Sequence, residues 1–186
     1  MDAAPHDFLC KIAFFGGLDE SAMRFLEGQM AEKKFLAGAT VVQEGEAGRS
    51  MYIVRSGAVH IVRKGAAGHV VKLRLMHPGD FFGVTALVEM EPRPFSVVAD
   101  SDSTLLELTC SDLYKLYRHD LKAYSLVVMN MNRELCRHLR SAASLLGQLM
   151  DQKPAEMREA QKQGPLFDQH ERKLVVSADL DSRQRH

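Results

Sequence analysis

The 186-residue chain is poor in cysteine, has no long apolar run and carries no excess of either charge. Its three cysteines, Cys10, Cys110 and Cys136, are odd in number and far apart, with no C-x-x-C spacing. That excludes a disulfide framework and argues against a zinc site, so each is expected as a small buried or half-buried side chain. No apolar run approaches the roughly 20 residues that a bilayer-spanning helix needs. The short FLCKIAFF near the start is interrupted by Lys11 and lacks a basic leader or a small-residue cleavage site. A cytoplasmic address without membrane association is therefore expected. Lysine plus arginine equals aspartate plus glutamate at 24 each, so no chain-wide basic field attracts nucleic acid or anionic lipid. Signatures of catalysis are missing too: there is no Gly-x-Ser-x-Gly elbow, His-Glu-x-x-His pair, Walker loop or dinucleotide fingerprint. The eight histidines are scattered. Neither an enzyme nor a metal site nor a required cofactor is expected.

What is present is a 46% hydrophobic content, enough to bury a core in a domain of ordinary size. From Asp7 to about Met30 the apolar residues recur at helical spacing around a Gly16-Gly17 break, which predicts two short helices. From Lys33 to Leu108 the pattern turns to short strands: KKFL, TVVQ, SMYIVRSG, AVHIVRKG, HVVKLRLM, FSVVADS and TLLELT. Glycine-bearing turns such as Glu44-Gly45-Glu46, Ser56-Gly57 and Pro78-Gly79-Asp80 separate them. Regular short strands with turn signals predict a mainly β fold, a sandwich or barrel, with flanking helices.

After Cys110 the chain reads as helix again, with Ser111-Asp112 as the expected cap of LYKLYRHD. A long helix follows over residues 121–149, with Val128, Met131, Leu135, Ala142, Leu145 and Leu149 in three-four alternation and His138 on the same seam. That stripe is longer than one small β domain covers, so part of it is expected to form a homodimer. The division expected is a β domain over 1–120, a dimerisation helix over 121–150 and a charged, weakly structured tail over 151–186, where KLVVSA is the one strand-like segment.

The chemistry concentrates after Leu75. A strand ends in HPGD, a Phe81-Phe82-Gly83 bend follows, and TALVEM starts a helical turn whose first amides lack partners within it. Ten residues after Gly83 stands Arg93, a fixed charge with two parallel donors for a phosphate. The run EGEAGRSMYIVRSGAVHIV, followed by LMHPGDFFGVTALV and EPRPFSVVA, resembles the cyclic nucleotide-binding domain. This β-roll is shared by catabolite-activator-type regulators, protein kinase A regulatory subunits and cyclic-nucleotide-gated channels. The resemblance covers roughly Phe14 to Leu149. It implies a double-stranded β-helix, jelly-roll-like, with N-terminal helices and a long C-terminal helix. It also implies that the segment from Phe82 to Ser96 is a phosphate-binding cassette, with backbone contacts from Gly83, Ala86 and Leu87 and with Arg93 as phosphate ligand. The ligand implied is a cyclic nucleotide, cAMP or cGMP, and the candidate site is Phe82, Gly83, Val84, Thr85, Ala86, Leu87, Arg93, Pro94 and Ser96.

Three residues depart from that pattern. Val84 stands where the family places a glutamate that accepts from the ribose 2′-hydroxyl, a bond worth about 1.5–3 kcal/mol. The neighbouring Thr85 is neutral. Pro94, beside the arginine, has no amide hydrogen to give, and Phe95 replaces a small residue. Three functions are consistent with this sequence: a sensor of a small-molecule effector, a degenerate cassette serving an unidentified protein partner, or a regulator of the catabolite-activator type. The last needs a helix-turn-helix after the long helix. The 36 residues after Met150 are short and neutral for one, so DNA binding is not expected.

Overall fold

A computed structural model describes residues 5–65, 69–89 and 91–151. The chain opens with helix α1 (Pro5–Leu9), a 3₁₀ turn over Ala13–Phe15 and helix α2 (Glu20–Gln29). The two expected helices are therefore joined by a third, shorter turn. Helix α2 starts where Asp19 accepts a hydrogen bond from the Ala22 amide at 2.9 Å. Strands β1 (Ala31–Phe35), β2 (Thr40–Val42), β3 (Ser50–Ser56), β4 (Val59–Lys64) and β5 (Val70–Met76) follow. Then come β6 (Phe81–Phe82), β7 (Ser96–Ala99) and β8 (Ser103–Thr109). The seven expected strands are all present. Strand β6 is additional, because two residues carry no readable alternation; it exists through pairing of Phe81 and Phe82 with Ile53 and Tyr52.

All pairings are antiparallel, in two four-stranded sheets ordered β1-β8-β3-β6 and β2-β7-β4-β5. The fold is mainly β, a β-roll with flanking helices and a long final helix. Strand period explains the two cores. Tyr52, Val54, Phe82 and Leu105 of the first sheet meet Val42, Val59, Met76 and Val97 of the second in the interior of the roll. The alternate residues Met51, Ile53, Leu106 and Leu108 face the other way, under Leu9, Phe14, Phe15, Met23 and Leu26 of the N-terminal elements. A strand buried on both faces is what the unbroken apolar run SMYIV requires.

Helix α3 (Cys110–His119) corrects an expectation about its cap. Thr109, not Ser111-Asp112, is the N-cap; its side chain accepts from the Asp112 amide, while the Asp112 carboxylate accepts from the Thr109 amide at 3.0 Å. Asp112 is thus the reciprocal third residue of a capping box. Burial opposes its ionised form, but hydrogen bonds from Thr109 and Lys115 outweigh that and hold its carboxyl below the ordinary value. Helix α4 (Leu121–Asp151) contributes Ala123, Val127 and Met131 to the helix-covered core. The buried Asn130 donates to the Phe14 and Gly16 carbonyls at 3.0 and 2.8 Å. Part of the long stripe therefore serves its own domain.

One compact unit runs to Leu139, and a second begins at Arg140. Within that second unit Leu145, Leu146 and Leu149 are exposed. The cysteine expectation holds for Cys110, which is half-buried, and fails for Cys10 and Cys136, which are exposed. Cys10 lies in the turn after α1, and Cys136 sits among solvent-facing positions of α4. Among the described residues no helix is long and apolar enough to cross a membrane, and no group of ligating side chains is placed to hold a metal ion. The expected tail, KLVVSA included, lies outside the described residues.

Candidate functional site

The site is built where β3, the bend after β6 and the segment before β7 converge. Asp80 fixes the approach: its carboxylate accepts from the His77 amide at 2.9 Å and from Arg74, and the Val54 amide donates to its carbonyl. Strand β6 then delivers Gly83 in the left-handed region at φ 81°, a conformation that only glycine adopts cheaply. A Cβ there would lie 3.0 Å from both the Arg93 Nη1 and the Ser50 carbonyl. Gly83 is required by backbone and by space. A 3₁₀ turn over Val84–Leu87 follows, in which the Ala86 amide donates to the Gly83 carbonyl at 3.0 Å. Cys110 braces this turn from outside, its thiol donating to the Ala86 carbonyl at 3.4 Å.

Arg93 is 6% exposed. Its backbone is pinned to the loop before β3: its amide donates to the Glu46 carbonyl, and the Gly45 amide donates to its own carbonyl, both at 2.9 Å. Its Nη2 donates to the Ser50 carbonyl at 3.0 Å and reaches the Ser50 hydroxyl at 3.4 Å. Nε lies 3.3 Å from the Glu46 carboxylate, an ion-pair approach out of line for a hydrogen bond. It has no hydrogen-bond partner among the described residues. The guanidinium carbon sits 5.9 Å from the centre of the Tyr52 ring. Tyr52 donates to Glu107 at 2.8 Å, and burial raises its phenol above the ordinary pKa. Gly48 makes room for this packing, since a Cβ there would come within 2.8 Å of the Ala86 Cβ and 3.3 Å of the Arg93 Cγ.

Of the candidate residues, Gly83, Thr85, Ala86, Arg93 and Pro94 line one cavity of about 240 Å³, together with Glu89, Glu91, Pro92 and Phe95. Phe82 and Val84 line a neighbouring, more apolar cavity of about 350 Å³, which also reaches Ile61, Leu73, Leu135 and His138. Val84 is 4% exposed and belongs to the helix-covered core, so a side chain of that shape contributes packing and no acceptor. Leu87 packs against the same core and lines neither cavity. Ser96 is buried and accepts from the Glu44 amide at 2.8 Å, which ties β7 to the loop carrying Glu46. Phe95 is half-buried against the interior of the roll. The sequence reading missed Glu46, Gly48 and Ser50. The EGEAG stretch read only as a turn, and nothing local marks which of its groups faces an arginine more than forty residues away.

Residues 32–120 match the family described as the cyclic nucleotide-binding domain. These residues share sequence pattern and β-roll fold with that family. It is 38% identical over 103 residues to a cAMP-dependent protein kinase regulatory subunit of Yarrowia lipolytica, covering 55% of this chain and 25% of that protein. The catabolite activator protein of Thermus thermophilus superposes with a TM-score of 0.67 at 30% identity, over 74% of this chain and 62% of that one. The regulatory domain of Toxoplasma gondii protein kinase A, crystallised with cAMP, gives a TM-score of 0.56 at 30% identity, over 60% and 42% of the two chains. The chain spans between 9% and 57% of the length of the first curated relatives that it matches. Arg93 is thus seated beside the bend, and Val84 fills the position to which the sequence resemblance assigns a glutamate.

Proposed function

We propose that this domain is a non-catalytic sensor of a small phosphate-containing effector, cAMP or cGMP or another phosphate ester, held at the cassette over residues 82–96. Arg93 carries the reading. A buried guanidinium that lines a cavity of about 240 Å³ holds only an out-of-line contact from its Nε to Glu46, so an anion that displaces Glu46 would satisfy it. Gly83, Thr85 and Ala86 line the same cavity beside it. A relative named as a regulatory subunit of a cAMP-dependent kinase and another crystallised with cAMP support the ligand class. An effector acts as a switch only when it binds one arrangement of the protein better than another. Helix α4 is the element proposed to respond, because Leu135 and His138 line the cavity next to the cassette. We assign the chain to the cytoplasm, as a homodimer through residues 121–149, where the exposed Leu139, Leu145, Leu146 and Leu149 offer apolar surface. Titration calorimetry with cAMP and cGMP tests the reading: saturable heat abolished by Arg93→Ala supports it, and no heat at millimolar ligand rejects the cyclic-nucleotide version.

One observation favours a second reading. Glu46 already sits on the arginine, so the cassette is internally neutralised, as expected of a degenerate site that serves a protein partner. In that case Arg93→Ala leaves the protein's regulatory activity intact.

A further inference from the structure

The cavity beside Arg93 has the wrong charge for a simple anion. One guanidinium and two carboxylates, Glu89 and Glu91, line it, and a third carboxylate, Glu46, approaches the guanidinium at 3.3 Å. A bare phosphate entering this mouth gains Arg93 and meets repulsion from the rest. Yet the arginine is 6% exposed, and its Nε meets Glu46 only out of line, without a hydrogen bond, which leaves room for a better-placed anion. The two facts are reconciled by a ligand that brings its own positive charge. Phe95 lines the same cavity and is half-buried. An aromatic ring next to carboxylates is a favourable environment for an alkylammonium group.

Resting on the reading that Arg93 seats a phosphate, we propose that the effector class is a phosphate ester with a cationic amine, the phosphate on Arg93 and the ammonium among Glu89, Glu91 and Phe95. Phosphocholine is the probe. Titration calorimetry of the full chain at matched ionic strength compares phosphocholine, inorganic phosphate and cAMP. Phosphocholine is expected to bind at least tenfold tighter than inorganic phosphate. The double variant Glu89→Gln, Glu91→Gln, at two exposed positions, is expected to remove that advantage while retaining inorganic phosphate, and Arg93→Ala to remove both ligands. Equal binding of phosphocholine and inorganic phosphate, or an advantage that survives the double variant, overturns the proposal. If cAMP or phosphate binds through Arg93 while phosphocholine shows no advantage, only this inference fails. If none of the three binds, the sensor reading fails with it. Co-sedimentation with phosphatidylcholine vesicles separates the two sources of this chemistry: capture assigns a lipid headgroup, and soluble binding alone assigns a free ester.

Discussion

The two sides of the cassette are built to different standards. On the side proposed to seat a phosphate, Arg93 is fixed by backbone bonds to Gly45 and Glu46, by Ser50, and by two glycines that leave it room. On the side that the family resemblance assigns to the sugar, Val84 is core packing, Pro94 is exposed without an amide hydrogen, and Phe95 leans on the roll interior. The first side is over-determined for holding a charge, and the second offers shape with few hydrogen bonds. On the proposed function, seating an anion and recognising what it is attached to are separable properties of one strand-turn-helix.

The contrast breaks most visibly at Arg93. Arg93→Ala is expected to weaken binding of any phosphate-bearing ligand about 100-fold or more, as loss of a buried charged partner does, and competition calorimetry reads it directly. Gly83→Ala comes next. It forces a left-handed residue and crowds Arg93 and Ser50, so it is expected to cost about 1–3 kcal/mol in denaturant unfolding. Gly17→Ala, also at positive φ but with open space around it, is expected to cost less.

Thr109→Ala tests whether the turn is held from outside through α3, with a smaller expected loss of about 1 kcal/mol from the cap. The sign with pH follows from Asp112. Its folded pKa is depressed, so its contribution is present above the ordinary carboxylate pKa and is lost as pH falls through the folded value. The gap between Thr109→Ala and the parent should therefore narrow on acidification below pH of about 4, measured by unfolding at several pH values. Smallest is Pro94→Ala on the sugar side. It restores an amide at an exposed position, so stability should stay within about 0.5 kcal/mol of the parent while cAMP affinity rises a few-fold. A gain as large as the Arg93 loss would erase the distinction between the sides.

Local pattern carried most of the architecture. Strand runs such as SMYIVRS and TLLELT alternate or bury on both faces with clear glycine stops, and both appear within a residue of where they read. Spacing alone left Arg93 as readily a solvent-facing side chain; the resemblance carried by FFGVTALV and EPRPFSVVA singled out Arg93 and Gly83, which the fold brings together. Glu46 and Ser50 were not, because their meaning arises only when β3 folds beside a residue 43 or more positions later. The α3 cap was misplaced by two residues because Ser111 and Thr109 are both acceptable caps, and only the reciprocal bond to Asp112 decides between them. Cys10 and Cys136 were misjudged because cysteine's preference for burial is an average that helix phase and turn position override.

The most direct test of the central claim is an amide and arginine side-chain NMR titration of the chain with cAMP, inorganic phosphate and phosphocholine in turn. Saturable shifts at the Arg93 Nε, Gly83 and Thr85 are expected with at least one of them. Unmoved Arg93 and Gly83 resonances at millimolar concentrations of all three would contradict it.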